Sequence, residues 1–176
     1  MTSQVLARPS VSTIDPASTG SVRSARGLLR RLLVTEGDPA AALARLSLAG
    51  LIFPHGAQHA LGWFGGYGFS GTHGWMTKTL GFPAAAAALA ILTELVAPLA
   101  LAIGFGGRLA ALGVVGIMLG AITTHVSNGF FMNWFGALPA GQEGFEYHLV
   151  VIALAAVVML KGSGALSADR ALTAPR

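Results

Sequence analysis

The sequence predicts an all-α fold, a membrane-embedded four-helix bundle with both termini cytoplasmic. Composition is the first observation behind it: the 176 residues are 53% hydrophobic and only 10% charged, with a mean hydropathy of +0.66, outside the range of a soluble globular domain. The second is length. Four apolar stretches, 46–64, 83–103, 109–127 and 145–160, are long enough or nearly so to cross a hydrocarbon core of about 30 Å at a helical rise of about 1.5 Å per residue. The third is the placement of charge. Arg8, Arg23, Arg26, Arg30, Arg31, Arg45, Arg108, Lys161, Arg170 and Arg176 all fall on one side of those stretches, and only Lys78 falls on the other. Basic residues are retained on the cytoplasmic side, so this distribution places both ends inside and the connections 65–82 and 128–144 outside. A pI near 10.4 is thereby accounted for by topology and argues for no nucleic-acid partner, since no basic patch is interleaved with stacking aromatics.

Along the chain, residues 1–44 read as a basic cytoplasmic segment. Met1 to Gly20, rich in Ser, Thr and Pro, has the composition of a disordered tail. Val22 to Val34 sets Leu28, Leu29, Leu32 and Leu33 against Arg23, Arg26 and Arg30, either as a short helix on an anionic leaflet or as a frayed basic stop signal. No apolar core of signal-peptide length occurs there, so the first span is expected to stay as an anchor. The bundle itself is expected over 45–162, with 163–176 as a cytoplasmic tail. Asp38 before Pro39 is a helix-start signal, Pro83 opens the second span in the same way, and Gly104 to Gly107 makes a tight connection that leaves the second and third spans antiparallel. Gly113, Gly116 and Gly120 on the third span form a smooth face expected to admit another helix closely.

The ionisable residues within the spans gather at mid-depth or toward the outer surface, with none expected in the cytoplasmic third. Glu94 stands alone in the uncharged run from Pro83 to Ile103, and a carboxylate at that depth needs a partner or a purpose. His55 and His59 are four apart, which in an α-helix puts both imidazoles on one stripe expected to face the interior. Glu94, His55 and His59 are therefore the catalytic candidates. His125, Glu146, His148 and Trp63 are the candidates for contacting a cofactor, and His55, His59 and His125 are the candidate metal ligands. Such a set could bind a quinone head group, ligate a metal, relay protons or coordinate an anion, or pin helix register as a hydrogen-bonded cluster. Haem or metal is left open by the sequence.

The segment His55-Gly56-Ala57-Gln58, followed by Gly62-Trp63-Phe64-Gly65-Gly66, Gly71 and Leu80-Gly81-Phe82-Pro83, resembles the first half of the DoxX family of small four-helix membrane proteins. Glu94, Arg108, His125 with Asn128-Gly129-Phe130-Phe131, Gly144 with Glu146-Tyr147, and Gly162-Ser163-Gly164 with Ser167 and Asp169 continue it, over about residues 45 to 172. His59 departs from the Lys expected at that position in many relatives. The resemblance implies a subunit or small oxidoreductase in quinone-linked metabolism, since DoxX-like proteins are associated with a terminal quinol oxidase, thiosulfate:quinone oxidoreduction and redox-stress proteins. Quinone is then the expected cofactor and the inner (plasma) membrane the expected location, as a multi-pass protein with partner subunits or further copies of itself. The alternatives are a structural or assembly subunit and a small-molecule or proton transporter.

The outer connections are rich in glycine and aromatics. Trp63, Phe64, Tyr67 and Phe69 suit interfacial anchors or a lid with His73 near its tip, and Phe130, Phe131, Trp134 and Phe135 would form an opposite wall. The absence of cysteine removes thiol–disulfide exchange by the chain itself.

Overall fold

In the computed structural model, residues 27–139 and 142–174 are described, so the expected disordered tail at Met1 to Gly20 lies outside the described residues. Of the described residues, 27–31 fall in one unit and those from Leu32 onward in another. A short helix, α1, covers 27–33, with Leu28 and Leu29 exposed.

The second unit begins with a helix cap. The Asp38 carboxylate accepts from the N–H groups of Ala40 at 2.8 Å and Ala41 at 3.3 Å, and Pro39, whose missing N–H costs nothing in the first turn, opens α2 at Pro39–Gly56. Ala and Leu carry α2 as far as Pro54, after which the helix widens into an i→i+5 turn at Ala57–Leu61 and stops at Gly62, whose positive φ ends it. Helix α3 spans Gly68–Lys78 where an open glycine-rich loop was expected; packing against the ends of α2 and α4 outweighs the poor helix propensity of Gly71 and Gly74. Helix α4 runs Ala84–Ile103 behind Pro83, α5 runs Gly107–His125, and α6 runs Glu146–Lys161. A last helix, α7 at Ala168–Thr173, is capped by Ser167. No strand occurs among the described residues.

Helices α2, α4, α5 and α6 pack in a ring in which α2 touches α4 and α6, and α5 touches the same two. Leu48, Ile52, Leu101, Val114, Val151 and Val158 meet in the core. The outward faces are equally apolar, with Leu43, Leu89, Val96, Leu119 and Leu160 exposed, the pattern of helices solvated by lipid. Three helical segments, Pro39–Leu61, Ala84–Ile103 and Gly107–Asn128, are long and apolar enough to cross a membrane.

The starts of α2 and α5 and the finishes of α4 and α6 lie together at one end of the ring, and charge is buried there by Arg45 and Asp169, both expected outside the spans. Arg45, in the second turn of α2, is 1% exposed and donates to the carbonyls of Ser163 (2.8 Å), Ala102 (2.8 Å), Leu166 (3.2 Å), Ala165 (3.4 Å) and Leu101. Asp169 accepts from the N–H groups of Gly106 (2.8 Å) and Gly107 (3.1 Å), which open α5, and from the Ser163 hydroxyl (2.6 Å). The arginine bonds carbonyls in the last turn of α4 and in the segment after α6, and the aspartate accepts from the N–H groups that the start of α5 leaves free. The segment after Lys161, expected as a tail, is therefore a folded part of this end.

Candidate functional site

Away from Arg45, α3, the first half of α4 and one face of α5 along its whole length line a cavity of about 770 Å³. Its walls are mostly hydrocarbon, from Trp75 and Met76 on α3, Leu89 and Ala90 on α4, and Leu112 and Ile117 on α5. Its polar side chains are few: His59, Thr72, Thr93, Glu94, Thr124 and His125. A second cavity of about 460 Å³ meets it at His59, Thr72 and Trp75.

His59 and Glu94 are paired by a short hydrogen bond, Nδ1 to Oε2 at 2.5 Å. What brings them together is a close crossing of α2 and α4 one turn earlier. Gly56 packs directly on the backbone carbonyl of Glu94, so closely that a Cβ there would collide with it. The i→i+5 turn then aims His59 across the gap, with its side chain 36% exposed against 14% for Glu94. His125, at the end of α5, donates from Nδ1 to the Ala121 carbonyl at 2.8 Å; a carbonyl only accepts, so Nδ1 carries the proton.

The same turn separates the two histidines expected to share a stripe. With more residues per turn, a side chain four positions on no longer returns to the same face, and His55 is exposed while His59 lines the cavity. Glu146 also lies elsewhere. Its Oε2 accepts from Trp134 Nε1 at 3.0 Å and from the Met132 N–H at 3.2 Å, and so ties the connection before α6 to its first turn. His148 is buried behind the cavity wall with its ring 4.9 Å from that of His125, and its Nδ1 has no hydrogen-bond partner. Trp63 packs edge-on against Phe53 and Phe64 and lines neither cavity. Phe130, Phe131, Trp134 and Phe135, expected as a wall, are also absent from both linings. His73 contacts the Ala84 carbonyl at 3.1 Å and stacks on Phe69. Among the described residues no three His, Asp or Glu side chains are grouped to hold a metal, which leaves His55, His59 and His125 without a common centre.

Of two further features of the site, one carried no signal in the sequence and the other a signal with a different outcome. Thr72 is 3% exposed, and its hydroxyl lies at the cavity without a hydrogen-bond partner. The glycine face of α5, expected to receive a helix, does so only at Gly113, where a Cβ would press on Thr93; at Gly116 and Gly120 it would meet no heavy atom within 4 Å. Those two glycines give the cavity its width.

No curated protein and no solved structure matches the chain. A sequence model described as DoxX matches residues 40–127, which takes in α2 to α5 with His59, Thr72, Glu94 and His125, and stops short of α6 and Asp169. By that match over half its length, the chain belongs to the DoxX family.

Proposed function

We propose that this DoxX-family membrane protein binds a membrane quinone in the cavity between α3, α4 and α5 and serves as a subunit or small oxidoreductase in quinone-linked redox metabolism. The observation that carries the reading is an apolar cavity with the His59–Glu94 pair in its wall, a place where a ring is received by hydrocarbon and its oxygens by polar groups. In this reading α6 is a fourth span. Its 16 residues cover roughly 24 Å, somewhat less than the hydrocarbon core, a mismatch that local thinning of the bilayer accommodates. Arg45, Arg108 and Lys161 mark the cytoplasmic end, both termini are cytoplasmic, and the membrane is the inner (plasma) membrane.

A bound quinone supplies reversible uptake of electrons and protons at its ring oxygens. The chain's own residues would manage the protons. With Nδ1 held by Glu94, His59 keeps Nε2 as the nitrogen open to a ligand oxygen. A proton taken at Nε2 moves the Nδ1 proton toward Oε2, so the pair gains a proton without leaving an isolated charge in hydrocarbon. The chain has no cysteine, so electrons pass through the bound quinone, a metal or a partner subunit and not through a thiol of the chain.

Glu94→Gln tests this. The variant is expected to fold and to lose quinone affinity by about tenfold or more, read by quenching of tryptophan fluorescence and by quinone extracted from the purified protein. If Glu94→Gln binds like the wild type while Glu94→Leu misfolds, the pair is only a tie between α2 and α4.

A further inference from the structure

We propose that the quinone enters sideways from the bilayer, lays its hydrocarbon tail along the glycine face of α5, and is held at a ring oxygen by the Thr72 hydroxyl. This rests on the quinone reading and specifies the ligand as a long-tailed one. Cavity-lining positions on α5 recur from Leu109 through Gly116 and Gly120 to His125, one face followed for roughly 24 Å. On α4 only the half from Ala86 to Glu94 contributes. Thr93 meets α5 at Gly113, so the His59–Glu94 pair stands near the middle of this face, with Gly116 and Gly120 leading from it toward His125, and a channel so much longer than a ring suits a ligand that carries a tail.

The side of that channel is open to lipid. Leu89, Leu109 and Leu112 line it and are 68%, 54% and 52% exposed, on the outward faces of α4 and α5. Glycine in mid-helix is a destabilising choice, and Gly116 and Gly120 gain no helix contact from it, so the space they leave is what remains to explain them. Thr72 supplies the independent pointer. A buried hydroxyl without a partner is costly, and an acceptor oxygen brought by a ligand would satisfy it.

The test compares a benzoquinone without a side chain and the same ring bearing a decyl tail, each titrated against detergent-purified protein by tryptophan quenching. Wild type is expected to bind the tailed ring at least about tenfold more tightly. Gly116→Leu, and Gly120→Val as a second variant, should abolish that advantage. Thr72→Val should weaken both by about threefold to tenfold. If both glycine variants keep the wild-type preference, the tail does not lie on α5 and this proposal is overturned, while binding of the tailless ring keeps the quinone reading. If wild type binds neither ring, the quinone reading falls and the tail groove with it.

Discussion

The two ends of the helix ring treat polar groups in opposite ways. At the Arg45 end, a guanidinium and a carboxylate are buried deep and bonded to peptide groups at helix termini and in the segment after α6. At the His59 end, the His59–Glu94 pair is partly open, a cavity stands beside it, and the buried side-chain atoms without a partner among the described residues, Thr72 Oγ1 and His148 Nδ1, are both found there. A saturated network fixes structure, whereas unfilled hydrogen-bonding capacity beside a cavity can be filled by a ligand.

The largest effect expected from this contrast is at Asp169. Asp169→Ala removes the acceptor for Gly106, Gly107 and Ser163 and leaves Arg45 buried without a nearby opposite charge. A cost of about 3–5 kcal/mol is expected, the range for breaking a buried charged network by removing one member. Unfolding in mixed detergent followed by circular dichroism measures it. Glu94→Gln, in the same assay, should cost much less, and equal losses would erase the distinction between a structural and a functional end.

Two glycines sharpen the comparison within the site. Gly56→Ala should force α2 off the Glu94 backbone, at a cost of about 1–3 kcal/mol, and should break the His59–Glu94 contact. Gly116→Ala adds the same methyl where there is open space and should stabilise α5 by up to about 1 kcal/mol. The same substitution is expected to have opposite signs on the crowded and the open side of one site, and thermal midpoints of the two variants measured side by side decide it. Destabilisation by Gly116→Ala would mean that the cavity is closed by something packed against α5.

What the sequence made legible was local. The Asp38–Pro39 start, Pro83, the Gly104–Gly107 turn and the long apolar runs each declare themselves within a few residues, and the DoxX motifs add up along the chain. What it concealed depends on distance or on geometry that no pattern encodes. Arg45 and Asp169 come from opposite ends of the sequence, and a basic residue beside a span says which side it occupies, not how deep it lies. The His55–His59 stripe assumed 3.6 residues per turn, and one i→i+5 turn undoes it. Glu94 stood out as a carboxylate in an apolar run, but its partner became visible only once Gly56 had brought α2 against α4. Thr72 is one of two hydroxyls, with Ser70, among glycines and aromatics, and nothing in the sequence sets it apart from the other. Gly116 and Gly120 had the spacing of a packing face, and spacing alone does not separate a face that receives a helix from one that leaves room.

The smallest expected effect lies at the outer rim of the Arg45 end, where a surface ion pair joins the first turn of α2 to the end of α6. Lys161 Nζ lies 3.0 Å from Asp38 Oδ2. The hydrogen bond from Lys161, followed by those from the N–H groups of Ala41 and Ala40, holds the Asp38 carboxyl below the ordinary value of 3.8. A carboxyl lowered in the folded state binds its proton less readily there than in the unfolded chain. Its contribution is therefore fully present above pH 3.8 and is lost as pH falls below that value through the folded-state pKa. Lys161→Met should shrink this acid-side loss, leaving the part due to the two N–H groups, and Asp38→Asn should remove it while keeping most of the helix cap. Thermal midpoints of the three proteins at neutral pH and across the acid range should diverge at neutral pH and converge in acid. A constant gap at every pH would show that Asp38 acts through the shape of its cap and not through its charge.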